Sequence, residues 1–174
     1  MERTHVMSDA LLTVREVSLN RGARQVLDRL TLHVARGELV ALMGLSGGGK
    51  TTALRVVAGL DLFDAGDVDV AGVALRPGPH RARSIHRALQ QKVGMVFQFH
   101  CLFEHLSAID NVALAPIHVH KVARRSAQER AQTLLDQLGV GSRARALPRE
   151  LSGGEAQRVA IARARGGPAP APHG

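Results

Sequence analysis

Gly44-Leu45-Ser46-Gly47-Gly48-Gly49-Lys50-Thr51-Thr52 is the stretch on which the reading of this 174-residue chain turns. Its spacing is Gly, four residues, then Gly-Lys-Thr, the pattern of a phosphate-binding loop between a strand and a helix. Closely spaced glycines let successive backbone N–H groups curl around phosphate oxygens, and the following helix adds the positive end of its dipole. A lysine at position 50 reaches the outer phosphates, and a hydroxyl at position 51 ligates Mg²⁺. A glycine-rich turn with only a structural role needs neither.

The flanks agree with that reading. Residues 38–43 hold the apolar run Leu39-Val40-Ala41-Leu42-Met43, which predicts a strand covered on both faces in a parallel sheet. Residues 11–19 and 25–34 alternate in part and are punctuated by Arg21-Gly22 and Arg36-Gly37, which predicts two further strands. A helix is expected to start at Lys50. Residues 66–75 predict a small antiparallel hairpin turning at Gly72.

Residues 76–87 carry Arg76, Arg81, Arg83 and Arg87 with His80 and His86. No aromatic interleaves them, so a solvated basic loop is expected there rather than a nucleic-acid patch. Residues 93–97 predict another buried strand. One helix is expected from about Ile109, and a second from the capping-box pair Ser126 and Glu129, stopping at Gly139. Residues 153–165 are helical in character. The Gly/Pro/Ala run at 166–174 cannot continue a helix and is expected to be disordered or extended, as residues 1–10 are expected to be flexible.

Composition narrows the class. At 45% hydrophobic the chain supports one domain, and with 2% aromatic residues and no Tyr or Trp its core must be aliphatic. The one cysteine, Cys101, excludes an intramolecular disulfide and points to a reducing compartment. The first ten residues have no signal-peptide core, and no run of 18 apolar residues predicts a membrane span. The net charge of +8 raises the expectation of an anionic partner. Only Lys50, Lys92 and Lys121 are lysines among its 23 basic residues, so Lys50 stands out. His100, Cys101 and His105 are close in sequence, as are His118 and His120, but neither set has zinc-ligand spacing.

A second motif follows at Leu151-Ser152-Gly153-Gly154-Glu155-Ala156-Gln157-Arg158. A serine and two glycines opening a helix offer a hydroxyl, bare N–H groups and a dipole end, which make a second anion site. Taken alone, they also describe an N-capped surface helix. Together with the phosphate loop, the stretch from Leu151 to Ala164 resembles the signature motif and helix of ABC-transporter ATPases, and the resemblance covers residues 11 to about 164.

The resemblance implies an α/β P-loop NTPase of ABC type with an N-terminal antiparallel β subdomain, a parallel core sheet and a helical subdomain at about 98–154. It implies that ATP and Mg²⁺ are bound by Gly44, Leu45, Ser46, Gly47, Gly48, Gly49, Lys50, Thr51 and Thr52, with Thr51 and Gln98 toward the metal. Leu45 stands where the family often has Pro or a basic residue. Arg21 falls where the family stacks the adenine on an aromatic ring, and a guanidinium plane can also stack. Ser152, Gly153, Gly154 and Glu155 would face the γ-phosphate held by a second ATP-binding subunit in a head-to-tail dimer.

The segment 97–119, with Gln98 and the run from Asn111 to Pro116, is similar to the subgroup serving polar amino acid importers. Transmembrane permease subunits are then the implied partners, and this chain is expected to be cytoplasmic, peripheral on the cytoplasmic face of the inner or plasma membrane. No nucleic acid is expected, although the charge keeps a nucleic-acid-handling ABC-type ATPase as a third reading.

A hydrolysing member needs an Asp for Mg²⁺ and a Glu for the attacking water after the signature helix. The 19 residues past Glu155 contain neither. Asp67, Asp69 and Asp136 do not end an apolar strand and cannot substitute. Residues 1–165 are therefore expected to form a partial ABC ATPase domain, incomplete at the C-terminus and ended by a truncated or frameshifted gene. Two functions follow: the energy-coupling subunit of an importer, or a non-catalytic nucleotide-binding module.

Overall fold

The structure, a computed structural model, describes residues 10–78 and 83–167. The expected flexible N-terminus, apart from Ala10, and the tail from 168 onward lie outside the described residues. The chain divides into two compact units, Met1–Val93 and Gly94–Gly174.

The first unit is built on a four-stranded sheet in the order β2-β1-β3-β4, every neighbouring pair antiparallel. Its strands are β1 (Ala10–Arg21), β2 (Arg24–Ala35), β3 (Ala65–Val70) and β4 (Val73–Leu75). β3 and β4 are joined by Ala71 and Gly72, at φ 50° and 82°. Two positive φ values make the tight turn whose twist matches that of the strands. The sheet packs one face against α1 (Lys50–Val57) and α2 (Arg83–Gln90). Val14, Val17, Val68 and Leu75 of the sheet meet Ala53 and Val56 of α1 and Leu89 of α2. Each fully buried aliphatic side chain contributes roughly 1.5–3 kcal/mol. The core is aliphatic as composition requires, with one exception: Phe63 is fully buried within it.

Three sequence expectations change here. The strands expected at 38–43 and 93–97 are not formed, so no parallel core sheet exists among the described residues. Leu39 is 96% and Met43 89% exposed. A buried parallel strand exists only through ladder bonds to neighbours, and no described segment supplies them at either place. The loop expected at 76–87 becomes helix from residue 83, because Ile85 and Leu89 bury against the sheet.

The second unit is helical: α3 (Ala108–His118), α4 (Arg124–Gln137) and α5 (Gly153–Arg165), with single 3₁₀ turns at Gly141–Arg143 and Pro148–Glu150. Ala108, Ala113, Ala131 and Ala162 surround Val112, Leu135 and Val159. Small residues at the crossings let the helices approach closely. Ser107 caps α3 by accepting from the Asp110 N–H.

α4 begins two residues before Ser126, after Ala123, with no side-chain cap. Ser126 and Glu129 have capping-box spacing, yet the first turn forms ahead of them because Ala127, Ala131 and Leu135 define the buried face. Its end is as expected. Gly139 at φ 71° lets Val140 donate to the Leu135 carbonyl and Gly139 to that of Asp136, both at 2.9 Å. That pair of bonds closes a left-handed helix cap. α5 has the bounds read from the sequence.

Candidate nucleotide site

In the first unit, residues 44–49 leave the unpaired segment and turn sharply into α1. Gly44, Gly47 and Gly49 have φ of 150°, 78° and 80°, values that disfavour any side chain. Gly49 is the most constrained. It lies beneath β2, and a Cβ there would sit 2.5 Å from the Val26 carbonyl oxygen. Gly48 donates its N–H to the Leu45 carbonyl at 3.1 Å, which closes the loop on itself.

No side chain caps the N-terminus of α1, and no acidic residue stands in its first turn. The positive end of this helix therefore faces the loop without a protein anion. The Lys50 ammonium folds over the loop and donates to the carbonyls of Gly44 at 2.8 Å and Leu45 at 2.6 Å. Two backbone oxygens thus hold the cation where a phosphate oxygen can replace them.

The loop borders a cleft of about 360 Å³. Gly47, Gly48, Gly49, Lys50, Thr51 and Thr52 form one side, and Arg21, Arg24 and Val26 the other. Arg24 donates to the Gly47 carbonyl at 3.2 Å. Sequence reasoning missed Arg24 and Val26, because only the β1–β2 hairpin folding over the loop brings them there.

Arg21 lines this cleft but is not loose. Its guanidinium lies 2.8 Å from Asp61, which also holds Arg55 at 2.9 and 3.0 Å. The hydrogen bond from Arg55, together with the positive charges of Arg55 and Arg21, holds the Asp61 carboxyl below its ordinary value against the opposing effect of burial. With three cations against it, the cleft is suited to a polyanion.

In the second unit, Gln98 sits exposed in a turn. Ser152 caps α5 by accepting from the Glu155 N–H at 3.3 Å, and Glu155 accepts from the Ser152 N–H at 2.7 Å. Those bonds to Ser152 lower the Glu155 carboxyl from its ordinary value, and the charges of Arg143 and Arg158 add to the effect. Arg143 reaches Glu155 at 3.3 Å. Ser152, Gly153 and Gly154 remain exposed. The N-capped surface helix is therefore what forms here, with these three residues open to solvent at its start.

A family model described as ABC transporter matches residues 27–167. The chain belongs to the ABC transporter family. It is 40% identical over 154 residues to the glutamine transport ATP-binding protein GlnQ of Escherichia coli, covering 88% of this chain and 62% of that protein. It is 46% identical over 139 residues to the lipoprotein-releasing system ATP-binding protein LolD of Chromohalobacter salexigens, covering 80% of this chain and 57% of that one. The chain thus spans about three fifths of the length of these curated relatives.

Among solved structures it is similar to the ATP-binding cassette MJ0796, determined as a dimer in a post-hydrolysis state with ADP and Pi. The TM-score is 0.76 at 30% identity, covering 88% of this chain and 68% of that one. The ABC cassette fold is therefore that of this chain, a mixed α/β structure with an antiparallel β subdomain and a helical part. No helix among the described residues is long and apolar enough to cross a membrane.

Proposed function

We propose that this chain is the nucleotide-binding part of an ATP-binding subunit that powers a polar amino acid importer. The observation that carries the reading is the cradle at Gly49 and Lys50. A glycine that only hydrogen can fit abuts β2, and an ammonium is held by two loop carbonyls at the uncapped end of α1.

These residues fit ATP: the loop N–H groups and Lys50 bind its phosphates, and Arg21, fixed by Asp61, offers its guanidinium face to the base. Thr51 would hold Mg²⁺ by its exposed hydroxyl, and for Gln98 a role toward the metal rests on the family resemblance alone. Bound Mg²⁺ neutralises phosphate charge. Ser152, Gly153, Gly154 and Glu155 serve the nucleotide of a second subunit in a head-to-tail dimer. Transmembrane permease subunits complete the machine, with this chain peripheral on the cytoplasmic face of the membrane.

The amino acid assignment rests on segment 97–119 and on the similarity to a glutamine transport protein. Similarity to a lipoprotein-releasing protein fits a cassette that is shared while its membrane partner chooses the solute.

A second reading is favoured by one observation. No Asp or Glu follows Glu155, so these 174 residues are proposed to bind ATP without hydrolysing it. Calorimetric titration with Mg-ATP beside a phosphate-release assay tests both readings. Binding without turnover is expected. Phosphate release that Lys50→Ala abolishes would overturn the non-hydrolysing reading, and absence of binding would overturn the nucleotide site itself.

A further inference from the structure

The segment carrying Gln98 is pinned to the helix carrying the second motif at two separate points. At its start, Gly94 lies so close to α5 that a Cβ would stand 2.4 Å from the Ala164 carbonyl oxygen. At its end, Arg163 of α5 donates one guanidinium nitrogen to the His100 carbonyl at 2.9 Å and the other to that of Cys101.

Those two carbonyls belong to an unfavourable backbone. His100 and Cys101 have φ of 57° and 50°, a left-handed conformation that side-chain-bearing residues disfavour and that rarely persists for two in a row. Cys101 donates to the Phe99 carbonyl at 2.6 Å and His100 to that of Phe97 at 3.0 Å. These tight local turns aim both carbonyls the same way. A planar guanidinium fork matches such a pair of oxygens, whereas an ammonium is a single point. Burial pulls the Arg163 pKa down, yet an arginine stays charged, so both bonds are charge-assisted.

We propose that Arg163 is a positioning residue that locks the Gln98 segment onto α5, so that Gln98 and the 152–155 motif shift together as one body. Its bonds go to the His100 and Cys101 carbonyls and not to Gln98 itself. The inference rests on the roles proposed above for Gln98 and for 152–155, but its geometry does not depend on them.

Hydrogen exchange of the nucleotide-free 174-residue chain, read by mass spectrometry, tests it. Arg163→Ala is expected to speed exchange in peptides covering 97–103 by about ten-fold, with those of α3 and α4 unchanged. Arg163→Lys should give an intermediate rate, and Gly94→Ala should loosen the same peptides from the other end. Equal acceleration across α3, α4 and α5 would mean that Arg163 merely stabilises the unit, and no local change would mean that the lock does not exist. Either result overturns the proposal.

A titration of Arg163→Ala with ATP free of Mg²⁺ separates the two readings, since binding of the phosphates at residues 44–52 does not pass through Gln98 and should match the parent chain. If the parent chain binds no nucleotide while its exchange pattern responds as expected, the function fails and the lock stands.

Discussion

The Lys50 ammonium lies 2.6 Å from the carbonyl oxygen of Leu45, so the loop holds its own cation until an anion displaces that oxygen. Exchanging a neutral acceptor for a phosphate strengthens the bond. Lys50→Ala should weaken Mg-ATP binding roughly 10- to 100-fold, the equivalent of one or two charge-assisted hydrogen bonds. Equilibrium dialysis with labelled ATP measures it, and an unchanged affinity would place the nucleotide elsewhere.

Gly49→Ala should be far more damaging than Gly48→Ala. The Gly49 Cβ would meet the Val26 carbonyl at 2.5 Å with φ at 80°, whereas at Gly48 the nearest atom is 3.1 Å away and φ is unexceptional. A loss of about 2 kcal/mol or more is expected for Gly49→Ala, read as a lower urea midpoint. Equal midpoints would show that the loop does not press on β2.

Asn111 holds the turn that opens α3. Fully buried, it accepts from the Phe103 N–H at 2.8 Å and donates to the carbonyls of Phe103, Leu106 and Ser107 at 3.0–3.1 Å. Asn111→Leu keeps a similar volume but strands those backbone groups, so a destabilisation of about 2–3 kcal/mol is expected. Chemical denaturation followed by circular dichroism would show it.

Acid should weaken the first unit through Asp61. Its folded pKa is depressed, chiefly by Arg55, so its contribution is full above the unfolded value of about 3.9. That contribution fades as the pH falls through the lower folded value. Between about pH 4 and 2 the melting temperature should therefore fall more steeply in the parent chain than in Asp61→Asn. Parallel acid limbs would remove Asp61 from the stability balance.

Local signals made most of the elements and the phosphate loop legible in the sequence. The Gly-Lys-Thr spacing, the hairpin at Gly72 and the stop at Gly139 each depend on residues within a few positions. What failed depends on distant partners. The run from Leu39 to Met43 reads as a buried strand, but ladder bonds come from other segments, and here it is left exposed. Ser126 has the chemistry of a cap, yet the buried stripe of Ala127, Ala131 and Leu135 starts α4 earlier.

Arg21 was placed at the base site by resemblance, and its grip by Asp61, 40 residues away, could not be read from spacing. The same is true of Arg24 over Gly47 and of Arg163 under His100 and Cys101, contacts that exist only once the chain has folded back.

The binding of Mg-ATP by these residues is tested most directly by thermal melting of the purified 174-residue chain with and without the nucleotide. A ligand at about 100 times its Kd adds about 2.7 kcal/mol to the native state, which for a chain of this size raises Tm by roughly 5–10 °C. The expected result is that rise in the parent chain and about half of it or less in Lys50→Ala. A cooperative transition that Mg-ATP leaves in place, or an equal rise in Lys50→Ala, would contradict a nucleotide site at Gly49 and Lys50.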